Sequence, residues 1–357
     1  MQQLSCGLIT LEQPGGDLIV PISEGLEGNN CSVQVLYKNS DWRPDSFDFM
    51  LAYGPMESMT KVIARLAEYR RIPPLAFWYT EQVPSRRPSP TVYYASRLRY
   101  FYDAYVNANK SLWLNRRIPH AQLQQRAGRL RALGELLALQ SQHQLKLVCA
   151  FTESNAMFLR HYGLPAVDIP MGYHPSFGAR YSQSRDIDVV FLGSTRDRRR
   201  RALVAELREQ LARRNIHLLI KDGSRQHGHV FGRERTLLLN KSKIMLNIMR
   251  QPWDDSVFRM LLAAPNGAML LSENLLPTST GPFLPGVHLA MTDLSNMADS
   301  IEYYLSHEHE RQAIADQAYS FVTSELTMTK MAQRLITAMG HSPSTPLTSM
   351  PDPASQI

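Results

Sequence analysis

Residues 191–201 read FLGSTRDRRRR, an apolar run that ends at Gly193 and Ser194 and passes into a segment carrying five arginines. A buried strand followed by a helix fits this pattern and sets Arg196, Arg198 and Arg199 in or beside the first helical turn. Cations there oppose the helix dipole, at roughly 0.3–1 kcal/mol each when exposed, unless an anion neutralises both. A phosphate or diphosphate would do so, because a helix N-terminus offers free N–H groups and small residues before it permit close approach. Gly193, Ser194, Arg196, Arg198 and Arg199 are therefore candidate phosphate ligands, while Arg200 and Arg201 are expected to splay into solvent.

A second stretch, 241–275, has a strand ending at Asn247, a polar loop containing Arg250, Trp253, Asp254, Asp255 and Ser256, then a helix with Arg259 near its first turn. Strand, polar loop and helix form a ligand-holding arrangement. Arg259 and Arg250 are suited to stabilising negative charge, and Trp253 to stacking on a flat ligand face, or to the core. Asp254 and Asp255 are adjacent carboxylates without further ligand spacing, so no metal is expected. Glu273 closes the following strand as another polar candidate. In the first half, Glu81 and Glu57 lie near strand ends, where open α/β sheets hold ligands, and each also reads as a helix-start or surface carboxylate. His174, in GYHPS, is either a ligand-contacting residue of an irregular loop or a satisfied structural residue.

The elements that position these residues alternate. CSVQVLY and SFDFMLAYG are short β-type runs, MESMTKVIARLAEYRR reads as a helix, and Pro73-Pro74 separates it from the strand LAFWYTE. The β-α-β order implies parallel pairing. A loop from Pro84 to Pro90 leads into a long helical region, about Ser96 to Gln144, interrupted near Ile118-Pro119. LVCAFT, SNAMFLRHYG and AVDIPMGYHPSFG then read as strand, helix, and strand with irregular loop. DIDVVFLGS restarts the pattern with the continuous apolar run of a buried parallel strand. It continues through a helix from about Asp197 to Arg214, the strands HLLIKDG and IMLNIM, the helix VFRMLLAAP, the strands GAMLLSE and VHLAMTD, and three terminal helices. The expected fold class is α/β, with two Rossmann-like doubly wound domains facing an interdomain cleft and C-terminal helices. The expected division is 1–180, with a basic helical insertion at about 85–146, then 181–340, then a disordered tail over 341–357.

The segment 241–275 resembles the closing module of family-4-like glycosyltransferases, particularly the group named after the spore maturation protein CgeB. That pattern runs from a strand ending in Asn, through a loop, to Arg-x-Phe-Glu-Ala-x-Ala-x-Gly. Asn247, Arg259, Ala263 and Gly267 match it, and the similarity extends over roughly residues 186–338. The resemblance implies a GT-B architecture and transfer of a sugar from a nucleotide-sugar donor, a substrate rather than a cofactor, to a protein, lipid or glycan acceptor, without metal. Arg259, Glu81 and His174 are the candidate catalytic residues, with His174 able to reach the donor phosphate or sugar. The family Glu that contacts donor ribose hydroxyls is Leu262 here, which favours as an alternative a non-catalytic GT-B-like binding subunit.

Forty-four per cent hydrophobic and 20% charged residues over 357 positions describe a globular chain longer than one ordinary core. No basic, apolar, small-residue leader opens it, so residence in the cytoplasm is expected. Cys6, Cys31 and Cys149 lack metal or redox spacing and are expected to be buried thiols. The formal charge of +7 is uneven: residues 85–131 hold nine arginines and Lys110 against Asp103 alone. Such a surface attracts anions, and peripheral contact with an anionic membrane at its inner face is a candidate role beside a plain solvated helical face. No nucleic-acid partner is expected, since no helix-turn-helix, RNP or zinc pattern is present; binding of nucleic acid is the lesser alternative.

Overall fold

The computed structural model describes residues 3–10, 18–37, 42–54, 60–69, 71–108, 121–143, 145–224, 228 and 230–341. Glu57, the break near Ile118-Pro119 and the tail from 342 onward lie outside the described residues.

Six strands, β1 (Leu4–Ile9), β2 (Cys31–Leu36), β3 (Phe49–Gly54), β4 (Leu75–Tyr79), β5 (Leu147–Ala150) and β6 (Ala166–Asp168), form one sheet in the order β2-β1-β3-β4-β5-β6. Every pairing is parallel. The helices α1 (Ile19–Glu27), α2 (Thr60–Leu66), α3 (Pro90–Ala108), α4 (Ala121–His143) and α5 (Glu153–Arg160) connect these strands. Strands β3 and β4 are buried at every position, as continuous apolar strands must be when both sheet faces are covered. At the centre, the Trp78 indole N–H donates to the Ile169 carbonyl at 3.0 Å, so its one polar atom is satisfied in the core.

The second sheet comprises β7 (Ile187–Leu192), β8 (Leu218–Lys221), β9 (Ser242–Asn247), β10 (Met269–Glu273) and β11 (Ala290–Thr292), all parallel, in the order β11-β10-β9-β7-β8. Its helices are α6 (Arg198–Ala212), α7 (Gly232–Lys241), α8 (Val257–Ala263), α9 (Met297–Ser306) and α10 (Glu308–Ser324), and a last helix, α11 (Met328–Ala338), ends the described chain. Three elements escape the sequence reading. β1 is interrupted by Ser5 and Gly7, and α1 and α7 have no side-chain N-cap to announce them.

The last helix returns to the first sheet. Tyr173 N donates to Leu326 O at 2.6 Å and Met328 N to Tyr173 O at 2.7 Å. A Cβ on Gly172 would lie 2.4 Å from the Thr327 backbone, so this crossing requires glycine. Beyond it α11 packs on α1, where Asn29 Nδ2 donates to Thr329 O at 2.9 Å. Of the helices that the sequence reading groups with the second half, α11 thus lies on the first. All three cysteines are free and buried. Among the described residues no helix is long and apolar enough to cross a membrane.

Candidate active site between the two sheets

In the second sheet, β7 leads to β8 on one side and β9 lies on the other, so the chain reverses direction across the sheet between β7 and β9. Ligands of open α/β sheets bind at such a switch point, beyond the carboxyl ends of the strands. Here those ends are Leu192-Gly193 and Asn247. They open on a cleft of about 350 Å³ whose far wall is Thr80, Glu81 and Gln82, just past β4 of the first sheet.

Three guanidinium groups converge on this cleft. Arg259, on α8, donates from Nη1 to the Leu192 carbonyl at 2.5 Å and lies 5.4 Å from the Phe191 ring centroid. Gly193 adopts φ +141°, and a Cβ there would meet Arg259 Nη2 at 2.8 Å, so glycine makes room for the arginine. Arg200 is buried, 5.8 Å over the same ring, with Nη1 on the Ser194 carbonyl at 3.3 Å and a buried Nε that has no partner. Arg250 reaches Glu81 at 3.7 Å. Among the described residues no carboxylate pairs with Arg200 or Arg259. Burial, and then Arg250, pushes the Arg259 guanidinium down to about 10. Burial pushes Arg200 down as well, followed by Arg259 and Arg250. Arg200 is buried and Arg259 half-buried; charge so placed is costly to desolvate, and an anion in the cleft would relieve it.

The expectation that Arg200 faces solvent is overturned. Asp197 caps α6, accepting from Arg200 N at 3.0 Å, and this fixes the helical phase that turns Arg200 inward. Arg201, Arg196 and Arg198 are exposed outside the cleft. Arg199 is occupied elsewhere: its Nη1 donates to Met249 O at 2.8 Å and to Glu273 at 3.1 Å. Glu273 also accepts from Met249 N at 2.6 Å, so this carboxylate braces the loop after β9 and does not line the cleft.

Ser194 and Asn247 both line the cleft. Asn247 Nδ2 donates to Ser272 at 2.8 Å, leaving its buried Oδ1 without a partner and available to a ligand donor. Ser256 is buried with its hydroxyl unpartnered. Trp253 packs against the core of the first sheet, and its indole donates to Val83 O at 3.3 Å. His174 is held by Glu24 at 2.7 Å and Ser176 at 2.8 Å, outside the cleft.

The two adjacent aspartates reach across to the first half. Asp254 forms a buried bidentate pair with Arg129 of α4, both bonds 2.9 Å. Burial works against the Arg129 charge, and Asp254 more than restores it, so the guanidinium is held above its ordinary value. Asp255 accepts from Asn155 at 3.1 Å and from Val257 N at 3.2 Å, and burial raises its carboxyl to about 6. Neither Arg129 nor Asn155 was legible beforehand, since they lie 125 and 100 positions from their partners. Among the described residues no group of three His, Cys, Asp or Glu side chains could hold a metal ion.

A second cavity, about 510 Å³, adjoins the first through the shared wall of Leu192, Phe258 and Leu262. Val20 and Pro21 of α1 face Val230 and Phe231 across it, with Lys221 and Arg235 as its cations.

This architecture has known counterparts. HepE of Anabaena, solved with UDP-glucose, superposes with a TM-score of 0.54 at 11% identity, covering 94% of this chain and 99% of that one. The fold is that of the GT-B glycosyltransferases. WaaG, a glycosyltransferase involved in lipopolysaccharide biosynthesis, matches at TM-score 0.54 and 14% identity over 94% and 100% of the two chains. A glycosyltransferase from Rickettsia africae matches at 0.57 and 9% over 95% and 98%. In sequence, residues 198–337 fit the model of a family described as glycosyl transferase-like. No curated protein matches the chain significantly in sequence.

Proposed function

We propose that the protein is a glycosyltransferase that takes its sugar from a nucleotide-sugar donor seated in the cleft between the sheets. The observation that carries this is the trio Arg200, Arg250 and Arg259 at the carboxyl ends of β7 and β9, two of them without a neutralising carboxylate among the described residues. Breaking the bond between a sugar's anomeric carbon and phosphate oxygen passes through an oxocarbenium-like state and leaves a nucleoside diphosphate. Preorganised guanidiniums aimed at that leaving group stabilise the charge as it develops, without calling on a metal. Asn247 Oδ1 supplies an unused acceptor, and the adjoining cavity accommodates the nucleoside. HepE, of the same fold, was solved with UDP-glucose, which supports this class of donor.

The acceptor, a protein, lipid or glycan, enters from the first sheet. Glu81, beyond β4 and facing Arg250, is placed to take its proton, whereas His174 is engaged by Glu24 and Ser176. The residues matching the CgeB-group pattern support membership of that group, and a cytoplasmic site of action accompanies it.

One observation favours the alternative of a non-catalytic binding subunit. Leu262 stands at the family Glu position and lines both cavities, while Glu273, a candidate replacement, is consumed by Arg199 and Met249 N. Release of nucleoside diphosphate from UDP-, GDP-, ADP- and dTDP-sugars decides between them. Turnover of one nucleotide class, lost in Arg259→Met, supports the transferase. Tight nucleotide binding without turnover under any acceptor or hydrolysis condition supports the binding subunit.

A further inference from the structure

Of the three arginines in the cleft, Arg250 alone has a carboxylate partner among the described residues, and that partner stands on the opposite wall. Its Nη2 lies 3.7 Å from Glu81 Oε1, across from the end of β9. Both side chains are partly exposed, and an ion pair so placed shifts an equilibrium by a factor of about five at most. The Arg250 charge also bears on Arg259 and on Arg200. Repulsion among three guanidiniums with no anion between them favours the position of Arg250 against Glu81.

Glu81 is built to release Arg250. The same Oε1 accepts from Gln82 N at 2.9 Å and lies 4.0 Å from Arg129 Nε, so the carboxylate keeps a donor and a cation when Arg250 leaves it. Arg129 is itself immobile, buried in its two bonds of 2.9 Å to Asp254. A diphosphate at the carboxyl ends of β7 and β9 carries more charge than one carboxylate. It would screen the three guanidiniums from one another and accept a charge-assisted hydrogen bond from each.

We infer that Arg250 exchanges Glu81 for the diphosphate of the donor, so that Glu81 competes with the donor and sets how tightly it is held. The inference rests on the nucleotide-sugar reading of the cleft, and one consequence is that arrival of the donor releases the carboxylate placed to take the acceptor's proton. The full chain is titrated calorimetrically with UDP, GDP, ADP and dTDP, and the tightest of these is then titrated into variants. Glu81→Gln keeps the shape and removes the competing charge; it should lower Kd about three- to five-fold with an unchanged melting curve. Arg250→Met should raise Kd at least roughly ten-fold, and in that background Glu81→Gln should change Kd by less than about two-fold. A diphosphate that binds the wild type, with Kd unchanged or raised in Glu81→Gln, overturns the inference alone. So does an unchanged Kd in Arg250→Met, or an equal tightening by Glu81→Gln in the Arg250→Met background, which would make Glu81 a distant charge and no competitor. Absence of binding by all four diphosphates overturns the nucleotide-sugar reading and this inference with it.

Discussion

Replacing Arg259 by methionine separates an arginine kept for a ligand from one kept for the fold. In the empty cleft Arg259 gains one hydrogen bond, to Leu192 O, and the face of Phe191 5.4 Å away, together about 1–2 kcal/mol. Against this stands the partial desolvation of a cation that no carboxylate among the described residues pairs, and exchange of desolvated charge for an apolar side chain is often neutral or stabilising. The empty variant should therefore melt at or above the wild type. With nucleoside diphosphate the order reverses. Two charge-assisted bonds from one guanidinium contribute about 3 kcal/mol, a factor of about 150 in Kd. At a concentration about 100 times the wild-type Kd, the ligand stabilises the wild type by about 2.7 kcal/mol and the variant by about 0.3 kcal/mol. For 357 residues unfolding together, with an entropy near 0.75 kcal/mol/K, this is a rise of about 3.6 °C against about 0.4 °C. Differential scanning fluorimetry with and without ligand reads all four states. A variant that melts well below the wild type when empty yet keeps the full ligand shift would refute the reasoning and make Arg259 a structural strut.

Gly193→Ala adds a Cβ 2.8 Å from Arg259 Nη2 at φ +141°, so it should displace that guanidinium and reduce turnover at least roughly ten-fold in a diphosphate-release assay. Asp254→Asn leaves the buried Arg129 charge with only Glu81, 4.0 Å away, and should lower unfolding stability by about 3 kcal/mol in urea titrations, whereas Arg129→Met with Asp254→Leu should recover most of that loss. Asp255, raised to about 6 from 3.8, holds its proton in the folded chain after the unfolded chain has released it. Stability should accordingly fall by about 3 kcal/mol as pH rises from about 4 to about 6, and Asp255→Asn should flatten that slope in denaturation curves taken across the range.

What the sequence disclosed follows from the range over which its signals act. Buried parallel strands write themselves as apolar runs, so β7, β9 and β10 were legible, and the small residues at 193 and 194 marked where a strand meets a ligand. Arg259 and Asn247 followed from a motif contained in 13 positions. Arg200 did not, because four consecutive arginines look alike until a cap fixes the phase of their helix; Asp197 is that cap and was the available signal. The contacts of Arg129 with Asp254 and of Asn155 with Asp255 depend on how two sheets face each other, which no local pattern encodes. Trp253 illustrates the same limit: an aromatic in a polar loop left ligand stacking and a core role both open, and the opposing sheet supplied the core.

The return of α11 to the first sheet has a bearing on recombination. The unit built on the first sheet is discontinuous in the chain, since residues up to about 178 share it with 328–338, and the two connections are stitched together where Tyr173 meets Leu326 and Met328. A chimera made with one crossover in the 178–186 linker would pair α1 with a foreign terminal helix, setting Gly25 against a side chain other than Met328 and Gly172 against a foreign backbone. Exchange of acceptor specificity between proteins of this architecture therefore requires two coordinated breakpoints.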